Sequence, residues 1–578
     1  MLKTRYETGS IPLSEYPRPQ FRRDSYLCLN GEWSLAKCKR EESITELPLK
    51  IKVPYSPETE SSGIGNGFVL EDDEKLVYKR DFEVDEAMLR DVTLIHFGAV
   101  DQEAAVWING ERVGDHRGGY TPFCFDISKH IKVGANSVCV EVTDTTERSS
   151  GARGKQSSTR GGIWYTKQSG IWQTVWIESV PRDYVKELKI IPDAQNKTVK
   201  IFSDCESAQT VRVFDGEEEI LSASICNKEV ELSYDFELWS PENPKLYDFV
   251  IETESGDKIY SYFGVRSFGI GKDEKGTPRL LLNGKPYFLN GVLDQGYWPE
   301  GLLTYPCDEA ICDELRLLKD MGFNFIRKHI KIEPLRWYYH CDRLGFVVWQ
   351  DFVSGGGEYK YTHVAAFPFL GFKHKDSDYK YFAREDEAGR EEFIQSVGET
   401  VGTLFNCTSI GGWVPFNEGW GQFDSAAITE LTRSLDNTRV IDSVSGWHDQ
   451  GEDETPLKSL HTYYTPLKVP KDSRPVVLSE FGGYSMRVSG HVFCEEKEFG
   501  YKKFHSEDAL VAALRKLYLE KLKPLISKGL CACVYTQVSD VEEEINGLVT
   551  YDRQVIKVPI SEMKRINDEI KAEAYKIN

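Results

Sequence analysis

Several features are missing or scarce in this sequence, and each absence excludes a class of protein. No window approaches the ~18 consecutive apolar residues that a membrane span needs, and residues 1–23 lack the apolar segment of a secretory signal. The 13 cysteines are scattered and odd in number, which argues against a disulfide framework. Positive charge is in deficit, because 71 Lys and Arg stand against 92 Asp and Glu for a net charge of −21. We therefore predict a cytoplasmic protein that binds neither nucleic acid nor membranes.

The composition is that of a soluble protein with several domains. Hydrophobic residues make up 40% and charged residues 28% of the 578 residues, a chain too long to fold around one core. Short alternating runs separated by turn signals predict a β-sandwich of the jelly-roll type over residues 1–183. Within it, the pair Asn109-Gly110 predicts a tight hairpin. Residues 184–268 fit seven short strands, the size of an immunoglobulin-like β-sandwich.

From residue 269 to residue 578 the pattern changes to alternating strands and helices. Eight apolar strand candidates in this region predict a (β/α)8 TIM barrel; they begin at Tyr287, Phe323, Phe346, Gly412, Val440, Leu460, Val476 and Leu530. The Gly- and aromatic-rich stretch 353–383 interrupts the pattern after the third strand. A connection of that length is usually functional, so we expect it at the rim of the site.

Two glutamates occupy the positions where barrel enzymes place their catalytic groups. Glu418 follows the apolar run 410–416, and Glu480 follows the run 476–479. Both carboxylates are therefore expected at the carboxyl ends of strands four and seven, on opposite sides of the barrel mouth. The plain alternative is that both side chains only face solvent.

Two carboxylates facing one cavity can cleave a glycosidic bond or hold a metal. Aromatic residues near the predicted strand ends favour the first use, because such rings stack against the C–H faces of sugars; they are Trp298, Trp349, Trp413, Trp420, Trp447 and Tyr484. The metal alternative depends on His448, Asp449 and His461, which lack a tight ligand spacing. We therefore predict no metal site.

Each glutamate stands in a distinctive motif: Asn417-Glu418 follows Trp-Val-Pro-Phe, and Glu480 lies in Ser479-Glu480-Phe481-Gly482. These motifs resemble those of glycoside hydrolase family 2, which includes β-galactosidases, β-glucuronidases and β-mannosidases. The resemblance extends over nearly the whole chain. Its further segments are 106–123 and 169–176 in the jelly roll, 239–244 in the immunoglobulin-like domain, and 290–291, 324–327 and 347–351 in the barrel.

The resemblance implies a retaining mechanism with Glu418 as general acid/base and Glu480 as nucleophile. Asn417 is then expected to donate to the sugar 2-hydroxyl. Arg327 is expected to keep Glu480 ionised, and Tyr463 to hydrogen-bond the same carboxylate. The other side chains that we expect to bind substrate are Asp294, Trp349, His461, Trp447 and Tyr535.

Departures from the family motifs guide the expected substrate. The Asn-x-Lys clamp that β-glucuronidases use for the substrate carboxylate is missing after the eighth strand, where the acids 542–544 stand instead. Three acids there would repel a uronate. We therefore expect an exo-acting enzyme for neutral β-glycosides, with β-galactosides first, β-mannosides or other β-glycosides next and β-glucuronides last. A carbohydrate-binding protein on an inactive scaffold is disfavoured, because both glutamates are present. The resemblance implies a glycoside substrate and no cofactor, and it leaves the oligomeric state open, a homo-oligomer included.

Overall fold

The N-terminal part of the chain is a sandwich of two antiparallel sheets, as predicted. The computed structural model describes residues 2–44, 46–65, 67–146, 150–360, 362–451 and 453–577. In spatial order, the six-stranded sheet contains Leu49–Val53, Gly31–Lys39, Glu74–Val84, Gly134–Thr143, Glu103–Ile108 and Glu111–Arg117. The four-stranded sheet contains Leu27–Cys28, Val175–Val180, Val92–Phe97 and Phe123–Asp126.

The predicted hairpin joins two strands of the larger sheet, Glu103–Ile108 and Glu111–Arg117. Asn109 and Gly110 form its turn with φ values of 52° and 88°. A two-residue turn with both φ values positive follows the right-handed twist of the strands, and Asn-Gly adopts it at little cost. The alternating side chains of these sheets fill one core with Val, Ile, Leu and a few aromatic residues.

The second domain is a smaller sandwich of seven antiparallel strands. One sheet contains Leu188–Asp193, Thr198–Ser203 and Glu229–Ser233, and the other contains Glu218–Ile225, Gln209–Asp215, Tyr247–Thr253 and Lys258–Phe263. Two side chains attach it to the barrel at Asp342. The indole Nε1 of Trp239 donates to the Asp342 carbonyl oxygen at 2.8 Å, and the Tyr262 hydroxyl donates to its carboxylate at 2.8 Å.

The C-terminal part is the predicted barrel of eight parallel strands. In chain order they are Leu289–Asp294, Phe325–Lys328, Val347–Asp351, Ile410–Val414, Val440–Ile441, Lys458–Thr462, Val476–Gly482 and Leu530–Thr536. Strand one pairs with strands two and eight. Most of these strands are buried over their full length, which explains their continuous apolar runs.

Helices follow six of the eight strands. The longer ones are Asp308–Asp320, Leu335–Leu344, Glu387–Leu404, Ser425–Leu435, Glu507–Arg515 and Ile560–Ala574; the shorter helical segments are Thr362–Ala366, Phe367–Phe369, Lys516–Leu522 and Lys523–Ile526. In the described parts of the connections after strands five and six, no helix forms. The second of these connections contains Pro466, Pro470 and Pro475, which interrupt helical hydrogen bonding. No helix among the described residues is long and apolar enough to cross a membrane.

A loop of the first domain lies against the barrel; we call residues 152–166 the jelly-roll loop. Arg153 donates to the carbonyl oxygens of Gly356 and Gly357 in the stretch 353–383. Trp164 packs against Tyr359 of the same stretch, with ring centroids 5.9 Å apart. The first domain and the long connection after strand three therefore meet beside the barrel. The domain boundaries after residues 183 and 268 stay predictions.

Candidate active site

The two predicted glutamates lie side by side at the carboxyl ends of the barrel strands. One oxygen of Glu418, one oxygen of Glu480 and a ring nitrogen of His461 all lie within 4.8 Å of one another. Glu418 is 7% exposed and Glu480 4%. Glu418 has a φ of +50°, so the backbone turns sharply after strand four. Such local strain is common where a structure has to fix a functional side chain.

Glu480 is held by two donors, Arg327 and Tyr463. Nη1 of Arg327 lies 3.1 Å from Glu480 Oε1, and the Tyr463 hydroxyl donates to Oε2. The Tyr463 ring stacks on Tyr501, with centroids 3.6 Å apart and planes 4° from parallel. Burial alone would raise the pKa of Glu480, but His461 and Arg327 outweigh it and hold that pKa below the usual 4.5. Glu480 is therefore ionised at neutral pH.

Arg327 also organises the residues around it. Nε and Nη2 donate to the two oxygens of Asp351 at 2.9 and 3.0 Å, a bidentate pair that fixes the guanidinium plane. Nη2 also donates to Asn417 Oδ1 at 2.8 Å. Because that bond orients the amide, Asn417 Nδ2 points elsewhere, and it is buried without a partner among the described residues. Asn417 therefore presents a free N–H beside Glu418.

Glu418 has a different environment from Glu480. Its Oε1 lies 2.7 Å from Nδ1 of His461, and Nε2 of that ring lies 3.0 Å from Ser445 Oγ. Burial raises the pKa of Glu418, the contact with His461 opposes this, and the charge of Glu480 adds to the rise. The pKa values of the two carboxyls thus move in opposite directions. Such a pair provides one proton donor and one ionised carboxylate at the same pH.

Of the other predicted residues, His461 and Trp447 lie at this site. The side chain of His461 is fully buried between Glu418 and Glu480, 3.6 Å from Glu480 Oε1, so it positions both carboxyls. The Trp447 ring lies 6.3 Å from the His461 ring and is partly exposed. Its place as an aromatic wall of the site stays a prediction.

Asp294 belongs to a buried ion network instead. Its carboxylate accepts from Lys328 Nζ at 2.5 Å and from Gly296 N at 2.8 Å. Lys328 and Lys331 both donate to Glu333 at 2.8 Å. Burial would raise the pKa of Asp294, but the Lys328 charge outweighs it and lowers that pKa. The charges of this network are paired with one another, so we no longer assign Asp294 to substrate binding.

Trp349 and Tyr535 are not brought to the carboxylates, and their assignment to substrate binding is corrected here. Trp349 is 1% exposed in the barrel interior, where its ring packs edge-on against Phe325 at 5.2 Å. Tyr535 is 1% exposed on the outer face of strand eight, packed against Phe481 and Tyr518. Both side chains are structural.

The position of Arg327 beside Glu480 and His461 argues against the metal alternative. Glu418, His461 and Glu480 offer atoms close enough to share an ion. Arg327 Nη1 already lies 3.1 Å from Glu480 Oε1 and 3.4 Å from His461 Nε2. The guanidinium thus supplies the positive charge that a metal would bring, which favours acid/base chemistry for this pair.

A second group of potential ligands, Asp308, Cys312 and His340, lies in the helix layer. Arg336 pairs with both oxygens of Asp308 at 2.6 and 2.7 Å. Arg343 donates through Nε to His340 Nδ1 at 2.9 Å and through Nη2 to Cys312 at 3.1 Å. We interpret this group as an ion-pair network that joins two helices.

Three regions of the chain match descriptions of one protein family. Residues 275–571, just over half of the chain, match "Glycosyl hydrolases family 2, TIM barrel domain". The chain belongs to glycoside hydrolase family 2. Residues 61–181 match the family's sugar binding domain, and residues 182–269 match a further domain described as "Glycosyl hydrolases family 2". The resemblance read from the motifs is thereby confirmed.

Curated relatives of this family 2 chain include β-galactosidases. The enzyme of Thermoanaerobacter pseudethanolicus is 26% identical over 310 residues, 49% of this chain and 40% of the relative's length. The enzyme of Photobacterium profundum is 23% identical over 468 residues, 75% of this chain and 42% of the relative's length. The chain therefore spans less than half the length of these relatives.

Similar solved structures carry the names of uronidases. A β-D-glucuronidase of Dictyoglomus thermophilum has a TM-score of 0.74 and 18% identity, covering 96% of this chain and 98% of that one. A family 2 β-galacturonidase of Eisenbergiella tayi bound to galacturonate has a TM-score of 0.67 and 18% identity, covering 99% of each chain. At such identities these likenesses establish the fold, and the three-domain architecture predicted from the sequence is confirmed.

Sequence reasoning missed four residues of the site. Asp351 orients Arg327, Ser445 contacts His461, and Tyr501 stacks on Tyr463. Of these, Asp351 had a visible signal, since it ends strand three as the glutamates end theirs. Lys155 comes from the jelly-roll loop, and its ammonium lies 5.3 Å from the Trp420 ring. No local pattern links a residue of the first domain to the barrel mouth.

Proposed function

We propose that this protein is a retaining exo-β-glycosidase that uses Glu480 as nucleophile and Glu418 as general acid/base. One observation carries the proposal: oxygens of the two carboxyls lie within 4.8 Å of one another across the barrel mouth. Retaining enzymes need carboxyls about 5–5.5 Å apart, whereas inverting enzymes keep about 6.5–9.5 Å for a water molecule. The opposite pKa shifts of the two carboxyls agree with this division of roles.

In the first step, a carboxylate oxygen of Glu480 forms a bond to the anomeric carbon. The bond from that carbon to the leaving oxygen breaks, and Glu418 gives its proton to that oxygen. The covalent bond removes the negative charge from Glu480, so the pKa of Glu418 falls. In the second step Glu418 takes a proton from water, the water oxygen attacks the anomeric carbon, and Glu480 leaves as a carboxylate.

Neighbouring side chains support the reacting groups. Asn417 directs its free amide N–H toward the sugar, where we assign it to the 2-hydroxyl. Such a bond strengthens as charge develops at the anomeric centre. Tyr463 and Arg327 keep Glu480 ionised and fix its direction of attack. These roles follow from donors that converge on one carboxylate.

Product stereochemistry tests the retaining mechanism. When an aryl β-glycoside is hydrolysed in an NMR tube, the β-anomer of the free sugar is expected to appear first, with the α-anomer growing in only by mutarotation. The same experiment with α-glycosides is expected to show no turnover. Initial release of the α-anomer from a β-glycoside would contradict double displacement.

The pH dependence of kcat/KM provides a second test. Activity is expected to fall at low pH as Glu480 takes up a proton, and at high pH as Glu418 loses its proton. Replacing Arg327 by Met removes a charge that lowers the pKa of Glu480, so the acidic limb should move up by about 1–3 pH units. Arg327→Lys keeps a positive charge and should move it less. If the acidic limb stays in place in a folded Arg327→Met protein, Arg327 does not lower the pKa of Glu480.

Two classes of glycoside are candidate substrates. The motif argument favours neutral β-galactosides, because the Asn-x-Lys clamp is missing. The argument against uronates from the acids 542–544 no longer holds. Glu542 accepts from Thr166 N at 3.1 Å, Glu544 accepts from the Tyr165 hydroxyl, and Glu543 lies 3.9 Å from Arg160. These acids fasten the jelly-roll loop to the barrel. An anionic sugar is the second candidate, favoured by the ammonium of Lys155.

A further inference from the structure

One buried lysine differs from every other buried lysine in the described part of the chain. Five lysines there are less than a tenth exposed: Lys75, Lys155, Lys328, Lys331 and Lys557. Four of them have a carboxylate oxygen within 3.1 Å, supplied by Glu141, Asp294, Glu333 and Asp540 respectively. Among the described residues, Lys155 has no carboxylate within 4.0 Å, although it is only 6% exposed. An ammonium without a carboxylate partner beside the barrel mouth is available to pair with an anion that binds there.

The ammonium of Lys155 lies against the ring of Trp420, close in the chain to the acid/base residue Glu418. It is 5.3 Å from the ring centroid of Trp420 and 5.6 Å from that of Tyr165. Trp420 comes two residues after Glu418, and its backbone N–H donates to the Asn417 carbonyl oxygen at 2.9 Å. The positive charge of Lys155 acts directly on Glu418, where it partly opposes the rise in pKa that burial causes.

The groups around this ammonium are mostly donors. The indole Nε1 of Trp420 is buried and has no hydrogen-bond partner among the described residues. The Tyr165 hydroxyl donates a hydrogen bond to Glu544. Burial raises the pKa of Glu418, the reacting carboxyl on which the Lys155 charge acts, and so favours its protonated form. The ammonium lies against the same indole ring that carries the unpartnered N–H, and a positive charge together with a free N–H are the groups that an oxyanion needs.

The chain is anchored to the barrel both before and after Lys155. Arg153 donates to two carbonyl oxygens of the stretch 353–383, and the backbone N–H of Thr166 donates to Glu542. The backbone N–H of Tyr165 also donates to the Lys155 carbonyl oxygen at 3.0 Å. The backbone that carries Lys155 is therefore held against the barrel, and the ammonium lies against the rings of Trp420 and Tyr165.

We propose that Lys155 is a substrate-binding residue supplied by the jelly-roll domain, and that with the indole N–H of Trp420 it binds an oxyanion on the sugar. The oxyanion is a carboxylate, as in a uronide, or a sulfate ester. Lys328 and Lys331 cannot serve, because their charges are paired within the network of Asp294 and Glu333. The proposal deepens the proposed glycosidase function and rests on it.

The test compares matched nitrophenyl β-glycosides: galactoside, glucuronide, galacturonide and galactoside 6-sulfate. We expect at least one anionic glycoside to exceed the neutral galactoside in kcat/KM by about 10-fold or more. Lys155→Met should lower that ratio by about 100-fold, because a buried charged partner of the substrate is lost. Whether the uronides or the sulfated sugar lose activity identifies the source of the oxyanion. Lys155→Arg should recover much of the ratio.

Two controls separate this role from a structural one. Lys75→Met removes a buried lysine of the same domain that is paired with Glu141, and it should leave the ratio unchanged. Lys155→Met should also move the alkaline limb of the pH profile to higher pH, because a charge that lowers the pKa of Glu418 is gone. An unfolding midpoint close to that of the original protein verifies that the variant folds.

The outcomes distinguish the two proposals. If neutral glycosides are hydrolysed with retention but every anionic glycoside is poorer, the role of Lys155 is wrong and the glycosidase function stands. If Lys155→Met and Lys155→Arg each lower kcat/KM equally for neutral and anionic sugars, Lys155 has a packing role and the proposed oxyanion binding is also wrong. If no β-glycoside is turned over by the folded protein, the proposed function itself fails.

Discussion

Replacing Glu480 by glutamine is expected to lower kcat by about 10⁴-fold or more, because the amide cannot form the covalent intermediate. The variant should stay folded. Glutamine has nearly the same shape. Its one carbonyl oxygen can accept from Arg327 in the place of Oε1, and its NH2 group in the place of Oε2 can donate to the Tyr463 hydroxyl oxygen. The measurement is kcat on a nitrophenyl β-glycoside, together with circular dichroism and the midpoint of thermal unfolding.

A matched control is Glu58→Gln in the jelly-roll domain. Glu58 is also buried, and it accepts from Ser169 N at 3.1 Å and from Ser169 Oγ at 2.6 Å. It lies outside the catalytic pair, so the substitution should change stability more than turnover. A folded Glu480→Gln protein that retains a tenth of the original kcat would show that another group is the nucleophile.

Replacing Glu418 by alanine is expected to have an effect that depends on the leaving group. Alkyl glycosides need a proton on the departing oxygen, so their kcat/KM should fall by about 10²–10⁴-fold. Dinitrophenolate can leave without that proton, so the first step of dinitrophenyl glycosides should be much less affected. The variant loses the base of the second step as well, and the glycosylated enzyme should therefore accumulate as a burst of phenol.

Azide provides the complementary result for Glu418→Ala. As an anion it needs no general base, and the cavity left by the carboxyl gives it access to the anomeric carbon. Turnover of activated glycosides should rise with azide concentration, and the product should be a β-glycosyl azide. An equal loss on all leaving groups, with no response to azide, would contradict the assignment of Glu418.

The fold was largely readable from the sequence, because its strands carry strong local signals. Most of the eight barrel strands are buried over their full length, so they appear as apolar runs in the sequence. The Asn109-Gly110 turn also has a local cause in its two positive φ values. The absence of helices from the described parts of the connections after strands five and six was less visible, since a proline-rich connection can still be long enough for a helix.

The catalytic pair was predictable for the same reason. Glu418 and Glu480 end their strands, and in a barrel all strand ends meet at one mouth. Side-chain direction was harder to predict, because successive residues of a strand point to opposite faces. Tyr535 lies on the outer face of strand eight, whereas Val534 lies in the interior. Trp349 faces inward but lies two residues before the strand end, one layer below Asp351.

Contacts between domains were outside the reach of sequence patterns. Lys155 lies beside Trp420 only because the jelly-roll loop is held between Gly356 and Glu542. From the sequence alone, the acids after strand eight were expected to repel a uronate. In the folded protein the same acids accept hydrogen bonds from that loop. The role of these acids could not be predicted, because their hydrogen-bond donors come from another domain.

The measurement that tests the central claim most directly is covalent labelling with an activated 2-deoxy-2-fluoro β-glycoside. The fluorine slows both steps, and the good leaving group lets the first step proceed, so the glycosylated enzyme accumulates. We expect one sugar per chain by intact mass, and peptide mass spectrometry should place it on Glu480 alone. Labelling of Glu418, of another residue, or of none while the compound is still hydrolysed would contradict a double displacement through Glu480.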